Sequence, residues 1–273
     1  KIDSDQWATL KAGTWAHPGE RLISVIGRGH SGTRAISEQL HKAGAYMGEE
    51  RNNSHDCPMP FSPLYEAAKI AGTFARFIGP GPHWDFSRLV NEPIPEEAKT
   101  LLLEFLSALW ADPTRAVYAW KLPETTFVFP WIARLYPEAR FILWVRDPRD
   151  VIRGGHGTDL LEEWGVEHGG PKGNKESFQA RAWSWLYQDH VVQVTAEMLN
   201  VKHQHLVKLE NWVINHQVET TLLQRFTGLP LRDMPTKRDR VSQPWRQQVP
   251  TQDWRAANKL LAEAINRYGY PER

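Results

Sequence analysis

The residues best equipped for chemistry stand together at 27–34, Gly27-Arg28-Gly29-His30-Ser31-Gly32-Thr33-Arg34. Three glycines let the backbone approach a ligand closely and adopt positive φ. The hydroxyls of Ser31 and Thr33 add donors, and Arg28, Arg34 and a protonated His30 add charge. The apolar run Leu22-Ile23-Ser24-Val25-Ile26 before them reads as a buried strand, and Ile36 with Leu40 after them reads as a helix. A strand, a glycine turn and a helix aim backbone N–H groups and a helix N-terminus at one point, which makes a phosphate cradle. A tight turn without a ligand would use the same residues, and that alternative stays open.

The spacing Gly27-x4-Gly32 copies the front of the ATP-binding loop, but Thr33-Arg34 follows where Lys and Ser/Thr should stand. The lysine that reaches terminal phosphates is missing, as is the hydroxyl that holds magnesium. The loop therefore predicts a phosphate gripped without a metal.

Three further groups carry chemistry. The stretch Gly48-Glu49-Glu50-Arg51-Asn52-Asn53-Ser54-His55-Asp56 is dense in titratable side chains. In an α/β fold, loops after strand C-termini share one face, so Glu49, Glu50, His55 and Asp56 are expected near the cradle, although a solvated surface loop would look the same. Val117-Tyr118-Ala119-Trp120-Lys121 reads as a strand with Lys121 at its end. Residues 140–145 form another strand that delivers Arg146. Cys57 has no evident activating neighbour, and no catalytic role is expected for it.

These groups need a scaffold. The 273 residues predict one domain, 1–273, with an irregular segment at 1–20 and a helical insertion at 50–115 shaping an acceptor pocket. Trp7 and Trp15 are expected to anchor the first segment. Helices are expected at 62–78 (ended by Gly79-Pro80-Gly81-Pro82), 95–110, 125–136, 177–199 and 218–226. Asp253 reads as the N-cap of a final helix from Trp254 to about Tyr268. Strands alternating with helices predict an α/β fold, a three-layer P-loop-like domain with a central parallel sheet and helical insertions.

Composition narrows the partners. Lys and Arg number 33 against 32 Asp and Glu, a formal charge of +1, which gives no electrostatic support for nucleic acid or an anionic membrane. No apolar run approaches membrane-helix length. The single cysteine suits a reducing, cytoplasmic location. The chain begins at Lys1 rather than Met, which leaves a truncated N-terminus open. Thirteen tryptophans are expected mostly in the core, with a few free to line a pocket for an aromatic, apolar or carbohydrate acceptor.

Two of these stretches carry a family resemblance. Ser31-Gly32-Thr33, after a strand and opening a helix, resembles the 5′-phosphosulfate loop of sulfotransferases, which use 3′-phosphoadenosine-5′-phosphosulfate (PAPS). Arg146-Asp147-Pro148-Arg149-Asp150-Val151 resembles the family's 3′-phosphate segment. The resemblance implies sulfuryl transfer from PAPS to a hydroxyl or amine, with no metal and with 3′-phosphoadenosine-5′-phosphate as product. It implies that Arg28, Gly29, His30, Ser31, Gly32, Thr33 and Arg34 hold the 5′ side and Arg146 the 3′-phosphate.

Two positions depart from the family pattern. His30 stands where Lys or Arg is usual, and Gly154 where Ser follows Arg146 by eight residues; backbone N–H groups at Gly154 or Gly155 are the expected substitute. Lys121 resembles the lysine of the family's Lys-x-Pro strand end, which stabilises the transition state. Gly48-Glu49-Glu50 resembles the tyrosylprotein enzymes' Gly-Glu-Glu, so Glu50 ranks first as base, then Asp56, then His55. Val207-Lys208-Leu209-Glu210-Asn211-Trp212 is similar to a further strand end. Ser242 to Arg246 is similar to a loop that folds over the nucleotide, which places Trp245 and Arg246 there. An ATP-dependent small-molecule kinase and a non-catalytic nucleotide-binding protein are the alternatives.

Overall fold

The computed structural model describes residues 21–232 and 243–271. The expectations for residues 1–20, Trp7, Trp15 and Ser242 fall outside the described residues.

The order of elements is β1 (Leu22–Ile26), α1 (Thr33–Lys42), α2 (Ser62–Gly72), β2 (Arg76–Phe77), β3 (Trp84–Asp85), α3 (Ser87–Asn91), α4 (Glu96–Ser107) and β4 (Tyr118–Lys121). It continues with α5 (Thr125–Leu135), β5 (Arg140–Val145), α6 (Pro148–Val151), α7 (Phe178–Met198), β6 (Gln204–Lys208), α8 (Leu209–Ile214), α9 (His216–Thr227) and α10 (Gln252–Arg267). The strands β4-β1-β5-β6 form a four-stranded sheet in which every pairing is parallel.

Side-chain alternation sorts the layers. In β1, Leu22 and Ile26 join one core with α2, α4, α5 and α7, while Ile23 and Val25 join a second with Ile36 and Leu40 of α1 and Trp212 of α8. In β5, Phe141 and Leu143 face the first core, and Ile142 and Trp144 face the second. Strands buried on both faces must be apolar throughout, which is why these runs are nearly continuous. The sheet between two helical layers is the α/β arrangement the sequence predicts. Among the described residues no helix is long and apolar enough to cross a membrane.

Two element boundaries differ from expectation. Helix α2 stops at Gly72, and Arg76–Phe77 then pairs antiparallel with Trp84–Asp85, so the Gly79-Pro80-Gly81-Pro82 breaker sits in a hairpin loop. Gly72 is a point of close approach, since a Cβ there would lie 2.0 Å from the Trp164 carbonyl oxygen. The N-cap of α10 is Thr251, whose side chain accepts from Trp254 N–H at 3.1 Å. Asp253 turns instead to α7 and accepts from Phe178 N–H at 2.7 Å and Gln179 N–H at 3.2 Å. It caps a helix that begins 75 residues earlier.

The tryptophans are core residues. None of the described ones is more than 7% exposed, so they offer no open stacking platform on the inserted helices. Trp144 and Trp185 line a groove between the sheet and α7 instead.

Candidate active site

The glycine loop is shaped by close contacts at the end of β1. A Cβ on Gly27 would lie 2.6 Å from the Trp144 carbonyl oxygen, and Trp144 Nε1–H donates to the Ser31 carbonyl at 2.8 Å. Gly32 takes φ 86° as it opens α1, a conformation glycine adopts without strain. No side chain caps α1, its first turn carries no acid, and His41 and Lys42 lie in its last turn. Its positive end is left to whatever anion enters the loop.

Arg28 is not at the loop's mouth. It is buried, and its guanidinium pairs with the buried carboxylate of Asp159. Its charge is neutralised from 131 residues away, and removing either partner would strand the other at a cost of about 3–5 kcal/mol. Thr33 is buried and Arg34 exposed, with Arg34 Nη2 donating to Ser54 Oγ at 3.2 Å.

His30 joins the two halves of the cradle. It holds φ 65°, its ring nitrogen Nε2 lies 2.8 Å from the Gly155 carbonyl oxygen, and its own carbonyl accepts from Arg146 Nη1 at 3.2 Å. Burial of the ring, then the Arg28 guanidinium, hold its pKa below the usual imidazole value. The ring's contact is to the backbone, with Nε2 donating to the Gly155 carbonyl. Gly154 provides the room, because a Cβ there would sit 2.8 Å from His30 Nδ1.

Arg146 also lies 3.6 Å from Asp150. The turn that presents it is braced by Glu210, which accepts from Asp147 N–H at 2.9 Å and from Tyr270 Oη–H at 3.0 Å. Arg149 is bidentate to Asp147 and lies 3.8 Å over the Trp245 ring. Trp245 is fully buried, and its backbone N–H donates to Asp150 Oδ1 at 2.8 Å. Its ring faces the core, so its placement over a nucleotide is corrected: it pins the late loop to the Arg146 turn. Arg246 is exposed beside it and donates to Gln243.

The acidic loop reaches the site through Asp56. Asn52 Oδ1 accepts from the N–H groups of Ser54 (2.8 Å) and Asp56 (2.9 Å), while Asn52 Nδ2 donates to Asp56 Oδ2 at 2.8 Å. Cys57 N–H donates to the Lys121 carbonyl at 3.0 Å, stitching this loop to the end of β4. Lys121 is buried and pairs with the Asp56 carboxylate, its ammonium also donating to the Ser54 carbonyl at 2.9 Å. Lys121 pairs in register with Val25 on the adjoining β1, which places the pair beside the glycine loop. His55 is tied by its carbonyl to Ser37 Oγ at 2.7 Å. Glu50 is exposed and, with Glu49, His55 and Asn52, edges a separate cavity of about 400 Å³. Cys57 is buried and its thiol is pushed up to about 11 by burial, the state of an inert core residue.

Three groups escaped the sequence reading. Asp159 neutralises Arg28, His156 lies against the loop, and Glu124 stands behind Lys121 at the start of α5. The Lys121-Leu122-Pro123-Glu124 spacing was visible, but nothing local tells that Glu124 is buried. A groove of about 550 Å³ also opens between the sheet and α7, lined by Arg28, Ser31, Leu143, Trp185, Val192 and Leu206.

The site is thus a glycine loop opening a helix at the end of a central strand of a parallel α/β sheet, with a lysine–carboxylate pair beside it. The sequence profile of the sulfotransferase family matches residues 23–233, and the chain belongs to that family. No curated protein matches the sequence. The fold is similar to that of the sulfotransferase domain from the curacin biosynthetic pathway, with TM-score 0.54, 13% identity, and 91% of this chain and 98% of that one covered. It is also similar to the sulfotransferase domain of the Synechococcus PCC 7002 olefin synthase, with TM-score 0.53, 12% identity and coverage of 94% and 98%. A Mycobacterium avium sulfotransferase aligns with TM-score 0.50, 14% identity and coverage of 94% and 79%.

Proposed function

We propose that the protein transfers a sulfuryl group from PAPS to the hydroxyl or amine of a small-molecule or carbohydrate acceptor. The observation that carries this reading is the Lys121–Asp56 pair held beside an uncapped, glycine-opened helix N-terminus. Bound in the loop, PAPS would supply an activated sulfuryl group with a phosphate leaving group.

The residues fit that donor better at one end than at the other. On the 5′ side, the backbone of Gly29 to Thr33, the N-terminus of α1 and Arg34 meet the anion. On the 3′ side, Arg146 is the cation, the Gly155 carbonyl is engaged by His30, and the Gly154 N–H expected as a donor already bonds to the Val151 carbonyl at 3.2 Å. Lys121, as a buried ammonium, is suited to the charge that grows on the leaving oxygen.

Asp56 is the preferred base over Glu50. Its carboxylate is fixed by Asn52 and Lys121, whereas Glu50 lies exposed on the rim of another cavity. A general base must be held within hydrogen-bond reach of the proton it takes, and a preorganised carboxylate meets that demand.

The test is calorimetric binding of 3′-phosphoadenosine-5′-phosphate in EDTA, beside ATP with Mg²⁺. Metal-free binding that weakens about tenfold or more in Arg146→Ala, the loss of a charged hydrogen bond, supports the reading. Binding of ATP–Mg²⁺ alone would replace it with a kinase.

A further inference from the structure

Glu124 is buried at 5% exposure, and its Oε2 has no hydrogen-bond partner. Its Oε1 lies 3.9 Å from His156 Nε2. His156 Nδ1 accepts from Thr158 N–H at 3.3 Å and lies 3.0 Å from Thr158 Oγ1; with the hydroxyl also donating there, Nε2 carries the ring proton, and burial keeps the imidazole neutral. That same Nε2 would be 2.3 Å from a Cβ on Gly29, so the ring bridges Glu124 and the glycine loop.

The charged and titratable groups around Glu124 come from four elements. They are Lys121 at the end of β4, Asp56 on the acidic loop, His156 after α6, and Tyr65 on α2, whose phenol feels both carboxyls. Among these there are two carboxyls for one ammonium, and Asp56 holds that ammonium. A second buried carboxylate would leave a net negative charge behind a loop built for anions. Such a group takes a proton instead. Burial first, with Asp56 adding and Lys121 opposing, pushes Glu124 up to about 7.

Resting on the sulfotransferase reading, we propose that Glu124 is a positioning residue that takes up a proton when an anionic nucleotide enters the loop. Uncharged, it leaves the Lys121 ammonium to one carboxylate and to the ligand. Ionised, it competes with the ligand for that ammonium and draws the His156 N–H away from the loop. The proton comes from solvent on binding and returns on release; no covalent bond to the ligand forms or breaks.

Calorimetry of 3′-phosphoadenosine-5′-phosphate binding, in buffers of differing ionisation enthalpy, tests this on wild type, Glu124→Gln and His30→Gln. Wild type is expected to take up as much as about one proton, and its affinity to fall by up to about tenfold per pH unit above the Glu124 titration. Glu124→Gln, neutral and nearly isosteric, should abolish that uptake and flatten the profile. Uptake that persists in Glu124→Gln, or that only His30→Gln removes, overturns the proposal and leaves the donor reading standing. No binding to wild type overturns both. Should Glu124→Gln fold poorly, the wild-type profile still decides, since uptake centred outside about pH 6–8 overturns the assignment.

Discussion

His30 and Gly154 share one space. The His30 ring lies across the glycine at 154 and bonds to the carbonyl of Gly155, where any Cβ on residue 154 would come within 2.8 Å of Nδ1. The two positions are thus coupled by one contact. His30 joins the cradle's halves through its ring to Gly155 and through its carbonyl to Arg146.

Gly154→Ser alone is expected to weaken nucleotide binding, because the new side chain drives His30 off Gly155. Combined with His30→Lys, the same serine should be tolerated. A double-mutant cycle read by calorimetry should show coupling of about 0.5–3 kcal/mol, as for residues in contact. Additive effects would separate the two positions.

Asp56→Asn should lower kcat by about 10²–10⁴-fold, the usual worth of a general base. It should also lower Tm, since Lys121 would be left buried without its counter-charge. Glu50→Gln lies on the exposed rim and should stay within about 0.5 kcal/mol of wild type in transition-state stabilisation. Steady-state kinetics with an identified acceptor would check both, and the reverse ranking would return Glu50 to the role of base.

Trp245→Ala should cost about 3–5 kcal/mol in denaturant unfolding, as for other buried tryptophans. The ring is fully buried beneath Arg149, so the loss is of packing and of the cation–π contact. Arg246→Ala, on the exposed side, should leave unfolding nearly unchanged. Lost nucleotide affinity at full stability in Trp245→Ala would show that the ring meets the ligand after all.

His156 gives an acid-sensitive stability term. Burial first, then Arg28, lower its pKa to about 4, so between there and the unfolded imidazole value the unfolded chain binds more protons than the folded one. Stability therefore falls as pH drops through that window. His156→Gln should remove that part of the slope, seen as a wild-type-minus-variant difference in denaturant titrations from about pH 7 to pH 4. Taking the difference matters, because Asp150 and Asp189, each pushed up to about 6 chiefly by burial, contribute the opposite slope.

The amino-acid sequence by itself determined the frame. Continuous apolar runs at 22–26 and 140–145 mark strands covered on both faces. The glycine spacing at 27–32 marks the anion loop, and Arg146 and Lys121 stand at strand ends on its side of the sheet. These are local properties, fixed by backbone periodicity and glycine's conformational freedom.

Only the tertiary structure decided which charges are spent and which are free to act. Arg28 is neutralised by Asp159, Asp56 rather than Glu50 meets Lys121, and Asp253 caps a helix other than its own. Glu124 is raised by burial that no neighbour in sequence reveals. A side chain's charge depends on its solvation and on its partners. Here those partners stand 131 residues from Arg28 and 65 from Lys121, distances over which residue type carries no record of contact.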